Sequence, residues 1–156
     1  MRRFLSLGAG VQSSTLALMI AHGEIEAVEG AIFADTGWEP VRVYEWLNWL
    51  ESEIQRCPHP FPIYRVSEGN LREDQIKATN TTGQLFAAVP WFLKMPNGDT
   101  AMGRRQCTSE YKIKPLHKKL RELLGYQKGE RIHKGACQLL MGISLDEIFR
   151  MKPSGR

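Results

Sequence analysis

The sequence predicts an α/β fold with a mostly parallel sheet of about five strands and helices on both faces. Two observations carry that prediction. Short apolar runs at residues 4–7, 31–34, 61–66 and 137–143 have the length and composition of buried or half-buried strands. Between them lie stretches whose apolar residues recur three and four apart, as in Val43, Trp46, Leu47, Leu50 and Ile54. Strands alternating with such helices read as βαβ units. Their crossovers are right-handed, and the loops after successive strands open on one edge of the sheet.

The first strand runs into Gly8, Ala9, Gly10, Val11, Gln12, Ser13, Ser14 and Thr15, then into a helix carrying Leu16, Leu18 and Met19 that Gly23 ends near His22. Small residues let the backbone turn tightly and let a ligand approach the main chain. The helix that follows points unpaired N–H groups and its positive dipole end at the same place, which suits an anion such as phosphate. Ser13 and Ser14 are the hydroxyls expected to bond phosphate oxygens. No lysine lies near Gly10, so a Walker loop is excluded. A dinucleotide fingerprint stays open on this segment, with Gly8 and Gly10 followed by Ser13 and with Asp35 as the ribose-binding acid.

After the second strand come Asp35, Thr36 and Gly37, which right-handed crossover brings beside the Gly8 loop. Gly37 is read as supplying a positive φ, with Asp35 capping the second helix. That helix spans residues 41–55, with Trp46 and Trp49 as core and flank. Cys57 and His59 offer two metal ligands without partners, so no metal site is expected. Residues 61–66 alternate enough for a strand near a sheet edge, and Asn70 caps a short polar helix reaching about residue 78. Residues 80–103 read as an inserted hairpin turning at Asn97-Gly98, with Trp91 and Phe92 as candidates for stacking on a base.

Arg104 and Arg105 precede Thr108 and Ser109 at an expected helix start, and Lys112 follows one turn later. Cations and helix N–H groups converging there would hold phosphate or sulfate. Pro115 predicts a kink or restart, after which Leu116, Leu120, Leu123 and Leu124 continue a core face to Gly125. After the last strand, Ser144 and Glu147 have the spacing of a capping box.

These segments together resemble the PP-loop proteins of the adenine-nucleotide α-hydrolase superfamily, in particular phage-type relatives of the phosphoadenosine phosphosulfate reductases. The PP-loop pattern Ser-Gly-Gly-x-Asp-Ser aligns with Gly8, Ala9, Gly10, Val11, Gln12 and Ser13, keeping the second glycine and the final serine but not the aspartate. Asp35-Thr36-Gly37 is similar to the segment that lines the family's nucleotide pocket. Arg105, Cys107, Lys112 and Pro115 match its Arg-x-Cys-x-x-x-x-Lys-x-x-Pro element, and residues 142–151 its Gly-Ile-Ser-x-Asp-Glu-x-x-Arg-Met element. The last three of these matches, in order along the chain, favour this family over the dinucleotide reading.

The resemblance implies one Rossmann-like nucleotide-binding domain over residues 1–156 that takes ATP or a related adenine nucleotide, with magnesium open. Gly8, Ala9, Gly10, Gln12, Ser13, Ser14, Asp35, Thr36, Gly37, Gly142, Ser144 and Asp146 would bind the nucleotide. Arg104, Arg105 and Lys112 would act in catalysis. The implied reaction is adenylation of a substrate with release of pyrophosphate. Reduction of phosphoadenosine phosphosulfate and nucleotide binding without turnover are the alternatives. Thr108 stands where cluster-bearing members have a second cysteine, so no iron-sulfur cluster is expected. The C-terminal Cys-Gly nucleophile of the reductases is missing, which reads as lost activity or a truncated chain. The acceptor stays open, with a nucleobase or tRNA among the choices, as does a homodimer.

Composition agrees with these expectations without naming a function. With 156 residues, 42% hydrophobic and 24% charged, the chain supports a single core. A net charge of +4 is permissive for anionic ligands. Three isolated cysteines without CxxC spacing suggest neither a disulfide framework nor a zinc ribbon and point to the cytoplasm. No run approaches the ~20 apolar residues of a membrane span.

Overall fold

The computed structural model describes residues 1–79, 82–84, 92–102 and 106–151. In chain order the elements are β1 (Arg2–Leu7), α1 (Val11–His22), β2 (Gly30–Asp35), α2 (Val41–Arg56), β3 (Ile63–Ser67), α3 (Leu71–Lys77), β4 (Phe92–Lys94), β5 (Thr100–Met102), α4 (Lys114–Leu123) and β6 (Cys137–Met141). A π-helical turn, Thr108–Ile113, leads into α4, and a 3₁₀ helix, Leu145–Arg150, follows β6.

The main sheet has the order β3-β2-β1-β6 with every pairing parallel. It has four strands among the described residues where about five were expected. β4 pairs antiparallel with β5 across the Asn97-Gly98 turn, so that hairpin satisfies its backbone locally and adds nothing to the parallel sheet. As expected, the fold is Rossmann-like and has helices on both faces. Side chains of β1 and β2 alternate between the two layers: Leu5, Leu7, Ala31 and Phe33 pack with Ala17 and Ile20 of α1 and Leu47, Leu50 and Ile54 of α2. Phe4 and Ile32 point the other way, against Leu116 and Leu120 of α4. β3 is an edge strand, with Ile63 buried and Arg65 exposed.

Local chemistry sets the element ends. Gly23 takes φ 83° at the end of α1, where its N–H and that of Glu24 reach the carbonyls of Ile20 (3.0 Å) and Met19 (2.9 Å). The buried face of α1 is Ser13, Ser14, Ala17, Ile20 and Ala21, whereas Leu16, Leu18 and Met19 are only partly covered. Small residues on the sheet side let the helix lie close. Asn70 Oδ1 accepts from the Glu73 N–H (3.1 Å), the expected cap of α3.

Two expectations about helix starts are corrected. Gln106 and Cys107 are already helical, so Thr108 and Ser109 lie inside the run and cap nothing. The π turn relaxes into α4 at Pro115, whose missing N–H removes one intrahelical bond at that point. Ser144 makes no side-chain cap bond to the 3₁₀ helix, which is entered through the Glu147 N–H and the Ser144 carbonyl (3.0 Å). The capping box is therefore not formed on the serine side, because the Ser144 hydroxyl faces Gln12.

Candidate functional site at the carboxyl edge of the sheet

From β1 the chain steps to β2 and β3 on one side, while β6 lies on the other. The order of connection therefore reverses between β1 and β6. Open parallel sheets leave a crevice at the carboxyl ends of the strands flanking such a reversal. Here those ends carry Gly8–Gly10 and Gly142–Ser144.

The two segments meet directly. A Cβ built on Gly142 would stand 2.6 Å from both the Gln12 carbonyl carbon and the Ser13 nitrogen, so only glycine fits against this first turn of α1. Gln12 Nε2 lies 3.4 Å from Ser144 Oγ, a long hydrogen bond across the same seam. The Ser144 hydroxyl also holds the Asp146 carboxyl below its usual range.

Within the loop, Ser13 Oγ accepts from the Gly8 N–H (3.2 Å) and donates to the Gly10 carbonyl (3.2 Å). Ser14 is buried, and its Oγ accepts from Trp46 Nε1 at 3.0 Å. The hydroxyls expected to meet ligand oxygens are thus engaged within the protein: Ser13 braces the loop and Ser14 ties α1 to α2. Ala9 sits at φ 53°, a left-handed conformation that costs a residue with a Cβ roughly 1 kcal/mol. Gly10 has φ −85° and open space where a Cβ would stand. What the loop offers an anion is its backbone, chiefly the N–H groups of Val11 and Gln12 in the first turn. Neither α1 nor α2 carries an acid in its first turn, whereas α3 has Glu73 and Asp74 there.

Beside the loop is an open cleft of about 380 Å³, lined by Ala9, Gly10 and Val11 on one side and Arg42, Val43 and Trp46 on the other. Trp46 was expected in the core but is 40% exposed, and its ring stacks on Trp49 at 4.6 Å. Its helical spacing placed it next to the core face without revealing that the indole N–H reaches Ser14. Arg42 was missed. A cation in the first turn of a helix, with no acid beside it, opposes the dipole, and that is the signal that would have found it.

The loop after β2 is closed by its own bonds. Asp35 Oδ1 accepts from the Gly37 N–H (2.8 Å) and the Tyr44 phenol (2.8 Å); burial, then Asp35, pushes that phenol above its usual range. Pro40 occupies the N-cap position of α2, so Asp35 braces the turn and does not cap the helix. Gly37 has the expected positive φ of 69°. Thr36 Oγ1 donates to Glu39 Oε1 (3.2 Å) and accepts from the Trp38 N–H (3.2 Å). Lys112 Nζ lies 3.4 Å from the same Glu39 oxygen, which brings the π turn to this loop.

Arg104, Arg105 and Trp91 lie outside the described residues. Phe92 is 70% exposed on β4. Cys107 packs against Leu71 and Tyr111. Among the described residues no group of three or more His, Cys, Asp or Glu side chains is arranged to hold a metal ion, and Cys57 Sγ lies 3.7 Å from His22 Nε2.

No family model, curated protein or solved structure matches the chain. Fold and geometry define a Rossmann-like α/β protein with a candidate site at its topological switch point. No helix among the described residues is long and apolar enough to cross a membrane.

Proposed function

We propose that the protein binds an adenine nucleotide at the carboxyl ends of β1 and β6 and adenylates a substrate, releasing pyrophosphate. The observation that carries this reading is the seam of Gly142 and Ser144 against Gln12 and Ser13, which joins two of the family-like segments at the one reversal of the sheet. Exposed first-turn N–H groups and Arg42 supply positive potential for phosphate, with no first-turn carboxylate opposing it. In this reaction a substrate oxygen attacks the α-phosphorus and pyrophosphate departs, so charge grows on the bridging and terminal oxygens. Arg104, Arg105 and Lys112 would balance that charge, the largest catalytic contribution expected in phosphoryl transfer.

Binding without turnover is the second reading, favoured by Gln12. It stands where the PP-loop pattern has an aspartate, and its amide is turned to Ser144. A neutral amide does not replace a carboxylate as a magnesium ligand. Pyrophosphate release from ATP and magnesium, screened across nucleophilic acceptors, separates the two. Release supports adenylation, while saturable binding without release leaves the binder. Cys107→Ser should keep most of the release, since that thiol packs against Leu71 and Tyr111; complete loss with binding intact would move the chemistry to the thiol.

A further inference from the structure

Residues 117–134 contain six Lys and Arg and two Glu, a net of +4 equal to that of the whole chain. The remainder balances at 15 of each sign. Ordinary solvated faces mix their signs, as α2 does with Arg42, Glu45, Glu51, Glu53 and Arg56. Here Glu122 is taken by Lys119 (2.6 Å) and Glu130 by the Gln127 N–H. Lys118, Lys128, Arg131 and Lys134 are exposed and have no acidic partner among the described residues.

The structure places Lys118, Arg121 and Lys128 around a hollow. Arg121 Nη1 donates to the carbonyls of Gln127 (3.0 Å) and Glu130 (2.6 Å), drawing the loop back to the end of α4 while leaving the guanidinium charge uncompensated. Between helix and loop is an open cleft of about 600 Å³ lined by His117, Lys118, Arg121, Tyr126 and Lys128, together with Glu122, whose carboxylate Lys119 holds. The Tyr126 ring stands tilted against His133, with centroids 6.3 Å apart. Arg2 Nη1 reaches the Leu123 carbonyl (2.7 Å), so this cleft lies at the amino edge of the sheet, opposite the Gly8 loop.

We propose that the α4 cleft binds single-stranded nucleic acid, with Lys118, Arg121 and Lys128 on the phosphodiester backbone and Tyr126 against a base. Concentrated, unpaired positive charge is the footprint of a polyanion. Rings set among the cations favour a nucleic acid over an acidic peptide, because bases stack and carboxylates do not. A single strand presents the base faces that a duplex hides.

The test is fluorescence anisotropy of the full chain with a labelled single-stranded RNA of about a dozen nucleotides. Three phosphate contacts predict a loss of roughly twentyfold in affinity between about 50 and about 200 mM salt. Lys118→Glu with Lys128→Glu should weaken binding at least ~tenfold and flatten the salt dependence by about 1.4 in log–log slope. Arg72→Glu with Lys94→Glu, the same charge change elsewhere, should stay within about twofold. Tyr126→Leu should weaken binding by about fivefold or more without changing the slope. If the α4 double variant does not fold, Lys118→Gln with Lys128→Gln carries the same change in slope, about 1.4, because it removes the same two phosphate contacts. The proposal is overturned by absent RNA binding, by equal losses in the two charge-reversed pairs, by an unaffected Tyr126→Leu, or by polyglutamate or duplex DNA binding as tightly as the single strand.

Discussion

Gly142 lies against the backbone of Gln12 so closely that a Cβ on it would stand 2.6 Å from the Gln12 carbonyl carbon. This contact fixes β6 to the start of α1 and is backbone on both sides, so no side chain can swing away to make room. Gly142→Ala should therefore cost about 1–3 kcal/mol of stability. Gly10→Ala, where the added methyl meets nothing within 4 Å, should stay within about 1 kcal/mol of the parent. Denaturant midpoints measure both, and an unaffected Gly142→Ala would mean that the seam is looser than described.

The Trp46 indole N–H and the Ser14 hydroxyl form the side-chain link between α1 and α2. Trp46→Phe keeps a ring over the cleft but strands the hydroxyl of a serine that is 2% exposed. Leaving such a group unpaired costs about 1–3 kcal/mol. Ser14→Ala in the Trp46→Phe background removes the orphan, so the second substitution should be less costly than it is alone. A double-mutant cycle by urea unfolding reads the coupling, and strict additivity would deny the bond.

Tyr111 is buried and its phenol donates to Asp74; burial first, then Asp74, pushes its ionisation well above the usual tyrosine range. In the unfolded chain the same phenol ionises near pH ~10. The native state thus keeps a proton that the unfolded state loses, so this stabilisation is present below pH ~10 and drains away as pH rises beyond it. Tyr111→Phe should lower stability by about 1.5–3 kcal/mol at neutral pH and make the alkaline fall shallower. Tyr44 keeps part of that fall. An unchanged alkaline slope in melts taken at successive pH values would contradict the assignment.

Much of the fold was legible because its signals are local. The runs at β1 and β2 are apolar on both faces, as central strands require, and Gly23, Gly37 and Asn70 stand where backbone geometry or an N–H lacking an acceptor demands them. The placement of the Gly8 and Asp35 loops on one edge followed from reading β1 and β2 as the parallel strands of a βαβ unit. What the sequence did not reveal depends on partners far along the chain. Ser13 and Ser14 read as ligand hydroxyls until Gly8, Gly10 and Trp46 are seen to claim them. Trp46 has core spacing, yet the helix turns it to the rim. Ser144 and Glu147 satisfy a capping pattern, but Gln12, 132 residues away, lies against the hydroxyl. The π turn before Pro115 was foreseen only as a kink, because widening a helix by one residue depends on how its neighbours pack.

The proposed site holds the phosphates of an adenine nucleotide on the Gly8–Ser14 backbone. Gly10→Val tests it most directly, because Gly10 has an ordinary φ of −85° and space for a side chain, so the variant should fold while its methyls fill the approach to the main chain. Calorimetric titration with ATP and magnesium should give saturable binding to the parent. The folded variant should show a loss of at least about tenfold, or ~1.4 kcal/mol. ATP affinity equal to the parent's in a Gly10→Val protein that melts normally would contradict the account.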